Sequence, residues 1–390
     1  MAIRVIILVI TIVCYISYYG KAQEDTIKLS KEEELELEKE LNLLNKPAIK
    51  TIKTDNGVIY DCIDFFKQPA FDHPLLKNHS YHYKMKPSSR PKTTNENKES
   101  LGIGLKGVGC PIGTVPIRRT TKEDLIRSKL FTKTYSSSRF GSFTPKKPGL
   151  RRAVLRTIAD PSKKYNGGGV VTSVYQPGVT GSQFSSSQMS IINGPDSIQV
   201  GWTVNPTLYG DSKTHLFAYL QAGATSCFNT QCPGFVIVST QIPLDIILQP
   251  VSQRGGPTFT LSLFVYRDQA NGNWWLEVGP NSTQVGFWPG RIFSALDTGL
   301  ATYMEWGGEA YTPLGQAAAP MGSGFFPQDQ GKQISDAYCQ EVTEINESHE
   351  QVNADNTELF SDDGTLYGVK DWGPSRGNLG HVMFFGGPSH

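Results

Sequence analysis

The apolar positions change rhythm along this chain. Val5 to Ile16 is an unbroken apolar run behind Arg4. Residues 30–46 set Leu37, Leu41 and Leu44 on one helical face, with Ser30 and Glu33 at capping-box spacing and Pro47 just past the end. The glutamates of the opposite face read as a solvated surface. Ile49 to Phe66 alternates like one or two strands around the turn signal Asp55-Asn56-Gly57. Thr120 or Thr121 stands where it would cap a short helix over Lys122 to Leu130. Two polar stretches interrupt these elements: 84–100 reads as loop, and 134–149 as an exposed linker and domain boundary. The basic residues Lys146, Lys147, Arg151 and Arg152 make the second stretch a target for proteolysis.

Beyond Arg151 the helical spacing gives way to short runs of Val, Ile, Thr and aromatic residues. These are Val170–Tyr175, Ser197–Val204, Leu216–Gln221, Gly234–Thr240, Thr258–Tyr266, Trp274–Val278, Gln284–Trp288 and Thr302–Trp306. Gly, Pro and Asn punctuate them every ~8–15 residues, the pattern of an antiparallel sandwich or barrel. No long helix fits between the runs, which excludes a doubly wound α/β fold. The expected class is mainly β, an antiparallel β-sandwich preceded by a small α+β domain.

Composition sharpens this picture. The 390 residues carry 37 Lys+Arg against 36 Asp+Glu, a net charge of +1, without the basic excess of a dedicated nucleic-acid binder. Charged residues at 19% and hydrophobic residues at 38% are globular proportions. The N-terminal apolar run is shorter than the about 20 residues a membrane span needs. Gly20-Lys21-Ala22 supplies small residues for cleavage after Ala22, so 1–22 reads as a signal peptide. Export, and no membrane attachment after cleavage, follow as expectations. Cys14 leaves with the signal, and Cys62, Cys110, Cys227, Cys232 and Cys339 remain, an odd count. Cys227 and Cys232 suit a small disulfide loop better than a redox pair. Asn78, Asn281 and Asn346 lie in glycosylation sequons and are expected on the surface.

Familiar catalytic signatures are missing. Gly322-Ser323-Gly324 lacks the flanks of a nucleophile elbow, and Gly167-Gly168-Gly169, with no helix after it, reads as a turn. His79 and His82, the only close histidine pair, read as a polar loop, so neither metal nor cofactor is expected. Carboxylate chemistry is left. Met304-Glu305-Trp306-Gly307-Gly308-Glu309 puts two acids around a Trp-Gly-Gly kink, and strand alternation aims both at one face. A buried glutamate there is either a catalytic group or a salt-bridged one. The residues alone leave that choice open.

Longer motifs carry a family resemblance. Asp61-Cys62-Ile63-Asp64, Lys67-Gln68-Pro69-Ala70-Phe71-Asp72-His73-Pro74 and Cys110-Pro111 followed by Gly113-Thr114-Val115-Pro116 are similar to the pro-region of the plant neprosins. Ser197-Ile198-Gln199-Val200-Gly201-Trp202, Leu208-Tyr209-Gly210-Asp211, Gly272-Asn273-Trp274-Trp275, Gly286-Phe287-Trp288-Pro289, Glu305-Trp306-Gly307-Gly308-Glu309, Met321-Gly322-Ser323-Gly324 and Phe385-Gly386-Gly387-Pro388 resemble its catalytic domain. The resemblance implies a secreted zymogen of the apoplast or vacuole, a glutamic peptidase cleaving after proline at acidic pH. Its domains would be a pro-domain over 23–133, a linker over 134–150 and the catalytic sandwich over 151–390. The implied partners are proline-containing peptides and the chain's own pro-domain.

Carried over by position, the two family glutamates fall on Gln199 and Glu305, so the first is replaced by an amide. Glutamine cannot titrate, yet its NH₂ can donate to an oxyanion or hold a water, as in the Gln/Glu pair of fungal glutamic peptidases. An active enzyme and a homologue that only binds both remain open. Trp202, Tyr209, Trp288 and Trp306 are candidates for the groove because flat aromatic rings suit a proline ring, with a place in the core as the other open reading; Glu309 is grouped with them, and Cys62–Cys110 is the implied staple of the pro-domain. The family's C-terminal disulfide is broken at Leu366, which leaves Cys339 without an evident partner and free to pair between chains.

Overall fold

The computed structural model describes residues 30–92, 100–105, 107, 109–136, 148–328, 336–373 and 379–388. The expected signal peptide, Lys146 and Lys147 lie outside them. Residues 41–390 pack as one compact unit, and residues 30–40 belong to another.

Helix α1 (Lys31–Leu44) starts at the expected box, with Glu33 N donating to Ser30 Oγ at 3.2 Å and Ser30 N to Glu33 Oε2 at 2.8 Å. The strand pair read from Ile49 to Phe66 is the hairpin β1 (Ala48–Lys53) and β2 (Ile59–Asp64), with β3 (Thr114–Arg118) added on the other side of β2. Cys62 and Cys110 form a disulfide, as do Cys227 and Cys232. Helix α2 (Lys122–Ser136) is capped by Thr121, whose Oγ1 accepts from Asp124 N at 3.1 Å. It runs beyond Leu130, through residues whose Ser and Thr content reads as linker. Phe131 and Tyr135, one turn apart, are both buried, and this packing overrides the weak helical propensity.

The rest is two antiparallel sheets. One has seven strands in the order β17 (Thr357–Ser361), β4 (Leu150–Thr157), β14 (Tyr303–Tyr311), β6 (Phe184–Asn193), β7 (Asp196–Val204), β8 (Thr214–Ala222) and β9 (Thr225–Phe228). The other runs β10 (Val236–Ile237), β13 (Thr283–Trp288), β12 (Trp274–Val278), β11 (Thr260–Arg267), β5 (Gly167–Ser173), β15 (Tyr338–Ile345), β19 (Val382–Gly386) and β18 (Gly368–Gly373), with β16 (Gln351–Asn353) paired to β15. Alternate residues of each sheet face the other, in aligned sandwich fashion. Trp202, Trp274, Trp288 and Trp306 are at most 1% exposed there, and Trp202 Nε1 reaches across to Ser173 O at 2.9 Å. The three tryptophans expected in a groove, Trp202, Trp288 and Trp306, are therefore core.

Other expectations shift for physical reasons. Gly167-Gly168-Gly169 opens a strand rather than a turn, because β5 passes so close that a Cβ on Gly168 would sit 2.4 Å from Thr343 O. Arg151 and Arg152 belong to β4, and Arg152 is buried. Cys339 is buried beneath Ser187, its thiol pushed up to about 12 by burial, so it is not placed to pair between chains. Asn78 and Asn281 are exposed; Asn346 is half-buried, its Oδ1 accepting from Glu350 N at 3.0 Å.

The segment before β4 grips both sheets. On the outer face of the β11–β13 strands, Arg90 makes a forked pair with buried Glu277 (Nη2–Oε2 3.0 Å), and Ser88 N and Ser89 Oγ donate to Asp268 at 2.7 and 2.8 Å. Tyr81 meets Phe287 edge-on at 5.0 Å. Nearer α2, Arg118 faces the buried Asp245, whose carboxyl burial raises to about 6 against the pull of Arg118 and His215. A raised carboxyl favours the folded state below its unfolded value, and that contribution fades as pH rises through 6. Asp245→Asn, which tolerates the positive φ of 75° at this position, should thus gain stability relative to the parent as pH rises from 4 to 7, an advantage partly offset by the loss of a charge facing Arg118. Urea unfolding between pH 7 and pH 4 should show that advantage shrinking as the solution is acidified.

Candidate active site

The outer face of the seven-stranded sheet collects the acids and amides singled out above. Ser190 on β6 lies in register with Glu305 on one side and Gln199 on the other, and Ser186 with Glu309 and Thr203. Between these rows Gln188 stands opposite Gly307 and Gly201. Both neighbours lack side chains, a Cβ on Gly201 falling 2.0 Å from Ser187 O, and Gln199 and Glu309 stand at opposite corners of the space over Gln188 that Tyr135 fills. Gly307 also has φ +138°, where a Cβ would press on Ala153 O at 2.6 Å.

Tyr135 of α2 enters this space. Its hydroxyl oxygen is 2.8 Å from Gln199 Oε1 and 2.8 Å from Glu309 Oε1, so the two side chains are at most twice that, 5.6 Å, apart. A phenol has one O–H and cannot donate to two acceptors. The proton count closes when the amide turns to present Nε2, a buried group with no partner in the opposite orientation. Gln199 then donates to the phenol oxygen, and the phenol donates to Glu309. Gln199 and Glu309 are 0% and 1% exposed. Around the phenol ring stand Tyr219 (5.0 Å, edge-on), Phe228 (5.3 Å) and Phe184 (6.2 Å), with Phe131 of α2 against the same walls.

Glu305 has a different environment. Arg152 Nη1 donates to its Oε2 at 3.2 Å, Tyr303 OH to the same oxygen at 3.0 Å, and Ser190 Oγ to Oε1 at 3.3 Å. Arg152 also donates through Nε to Asp362 at 3.2 Å. Burial and the Glu305 charge hold the Tyr303 phenol well above its ordinary pKa. Glu305 is thus the salt-bridged acid of the two open readings. The acid that shares an oxygen with Gln199 is Glu309, which the positional carry-over had assigned to the groove wall. The distinction lies four residues along one strand, and only the position of Tyr135 reveals it.

Tyr209 lies elsewhere, stacked on His215 at 3.9 Å and accepting from Asn229 Nδ2 at 3.0 Å, beside Arg118. The aromatic walls of the site are Phe184, Tyr219 and Phe228 instead, and sequence reading missed all three together with Gln188 and Tyr135. Phe131 and Tyr135 at i, i+4 spacing were the available signal for a buried helical face. Phe184 and Gln188 were hidden because β6 carries serines on both faces, which erases the alternation. Among the described residues, no three His, Cys, Asp or Glu side chains are arranged to hold a metal.

A β-sandwich with a glutamine–glutamate pair in a groove, covered by the chain's own N-terminal segment, is the architecture these observations define. A family model described as Neprosin matches residues 181–388, and one described as Neprosin activation peptide matches residues 51–156. The chain belongs to the neprosin family. Among solved structures it is similar to scytalido-glutamic peptidase bound to a peptide-based transition-state analogue (10% identity, 61% of this chain and 98% of that one, TM-score 0.36). It is also similar to SCP-B, an eqolisin-family peptidase in complex with the tripeptide Ala-Ile-His (10% identity, 62% and 98%, TM-score 0.35).

The two glutamates should separate in a stability measurement. Glu305→Gln strips the buried Arg152 of one of its two carboxylates and should cost about 2–3 kcal/mol. Glu309→Gln keeps shape and a hydrogen-bond acceptor for Tyr135, and should stay within about 1 kcal/mol of the parent. Chemical denaturation of the two variants at neutral pH makes the comparison.

Proposed function

We propose that this chain is a secreted zymogen whose mature form is a glutamic endopeptidase, with Glu309 and Gln199 at its centre. The observation that carries this reading is the single oxygen, that of Tyr135, held between an amide and a carboxylate inside a groove. Replace that phenol oxygen by a water and the roles follow. Glu309 takes a proton from the water as the hydroxide oxygen bonds to the peptide carbonyl carbon. Gln199 Nε2 donates to the oxygen that gains negative charge. Glu309 then returns the proton to the departing amine nitrogen as the C–N bond breaks, leaving acid and amine products. One carboxyl group thus serves as base and then as acid, which a glutamine opposite permits.

Family membership supports a peptidase and an activation peptide that covers it. Cleavage after proline is the finer part of the proposal: flat rings on three sides of the groove suit a pyrrolidine ring as well as an aromatic one. Export through residues 1–22, glycans on Asn78, Asn281 and Asn346, acidic working conditions and release of the pro-region by a cut near residues 137–147 complete it. The non-titrating Gln199 favours one rival, a groove that binds proline-rich proteins without cutting them.

Mass spectrometry of a proline-containing peptide incubated with the processed protein at pH 3–5 separates the two. Turnover should appear, and Glu309→Gln should lower it about 10²–10⁴-fold, while Glu305→Gln acts mainly through stability. Binding without any product would establish the rival. Gln199→Glu should raise the rate and reshape its pH profile, because two carboxylates over one water share a proton.

A further inference from the structure

Tyr135 shows what the groove is built to hold. Its ring is walled by Tyr219, Phe228 and Phe184, all of which stay with the sandwich when α2 is absent. Its oxygen lies at the far end of that slot, against Gln199 and Glu309. The slot therefore matches a whole para-substituted phenol: aromatic walls for the ring, one donor and one acceptor for the hydroxyl. That donor is Gln199 Nε2, a buried atom with no partner when the amide is turned the other way. A ring without the hydroxyl would leave the buried Gln199 Nε2 with no oxygen to donate to, a strong form of discrimination for a pocket.

We propose that, once α2 has withdrawn, this slot binds the phenol side chain of tyrosine presented by another peptide. In that register the phenol oxygen occupies the place of the attacking water. Tyrosine-bearing peptides and small para-alkyl phenols are then competitive inhibitors of the hydrolysis. The inhibition rests on the peptidase reading above, whereas the binding itself does not.

The first test uses the full chain carrying Tyr135→Ala. 4-Methylphenol, the tyrosine side chain alone, should raise its melting temperature clearly more than toluene or 4-methylanisole at equal concentration, and neither should move the parent, whose slot is filled. Adding Glu309→Leu, which removes the acceptor that Glu309→Gln would keep, should remove most of the difference between 4-methylphenol and toluene. Equal shifts from 4-methylphenol and toluene would mean a generic cavity and overturn the proposal, as would no shift.

The second test uses the wild-type protein after processing, so it stands if Tyr135→Ala does not fold. Saturation-transfer NMR should show 4-methylphenol bound about tenfold more tightly than toluene. With a proline-containing substrate, 4-methylphenol should raise the apparent KM and leave kcat unchanged. Absence of binding, or an effect on kcat alone, would overturn the placement in the catalytic groove. Selective phenol binding with no peptide ever cut would instead sink the peptidase reading and leave the phenol slot standing.

Discussion

One buried oxygen atom organises this molecule. The hydroxyl of Tyr135 bridges an amide and a carboxylate that the seven-stranded sheet holds out of water, where a polar group needs a hydrogen-bond partner. A polar pair lodged among Phe184, Tyr219 and Phe228 would cost several kcal/mol if nothing completed its hydrogen bonds. The helix that delivers Tyr135 is therefore as much a part of the folded precursor as any core strand. In the proposed mechanism the place of that phenol oxygen passes to a water and then to the reacting carbonyl.

The two glutamates of the Glu-Trp-Gly-Gly-Glu strand show how environment divides identical side chains. Both face the groove, and both are buried. Glu305 is surrounded by Arg152, Tyr303 and Ser190, which fix its charge and its position. Glu309 faces the phenol of Tyr135, which lies between it and Gln199 over the Gly201–Gln188–Gly307 row. A charge neutralised by arginine is a poor candidate for proton traffic. One that shares an oxygen with a neutral amide is a good one.

Most of the fold was legible in the sequence, and the part of the site that was not has identifiable causes. The alternation of Ser197–Val204 and the short aromatic runs such as Trp274–Val278 mark strands, so the mainly β class and the sandwich follow from periodicity. Periodicity cannot tell inward from outward for a residue such as Trp202, because both faces of each sheet are buried under something. Nor can spacing along β14 say which glutamate meets Gln199, a question of which neighbour strand supplies Arg152. The serines of β6 and the Ser- and Thr-rich end of α2 conceal the remainder, because their order comes from tertiary packing rather than local preference.

The pro-region is held on opposite sides of the sandwich, by Arg90 and Tyr81 on one face and by Phe131 and Tyr135 on the other. Severing the backbone after α2 removes none of these attachments. A nicked molecule is then still a closed one, with the cut helix held at high effective concentration by its distant grips. Scission and opening become two clocks, and an assay that scores only the shortened chain would count silent enzyme as awake.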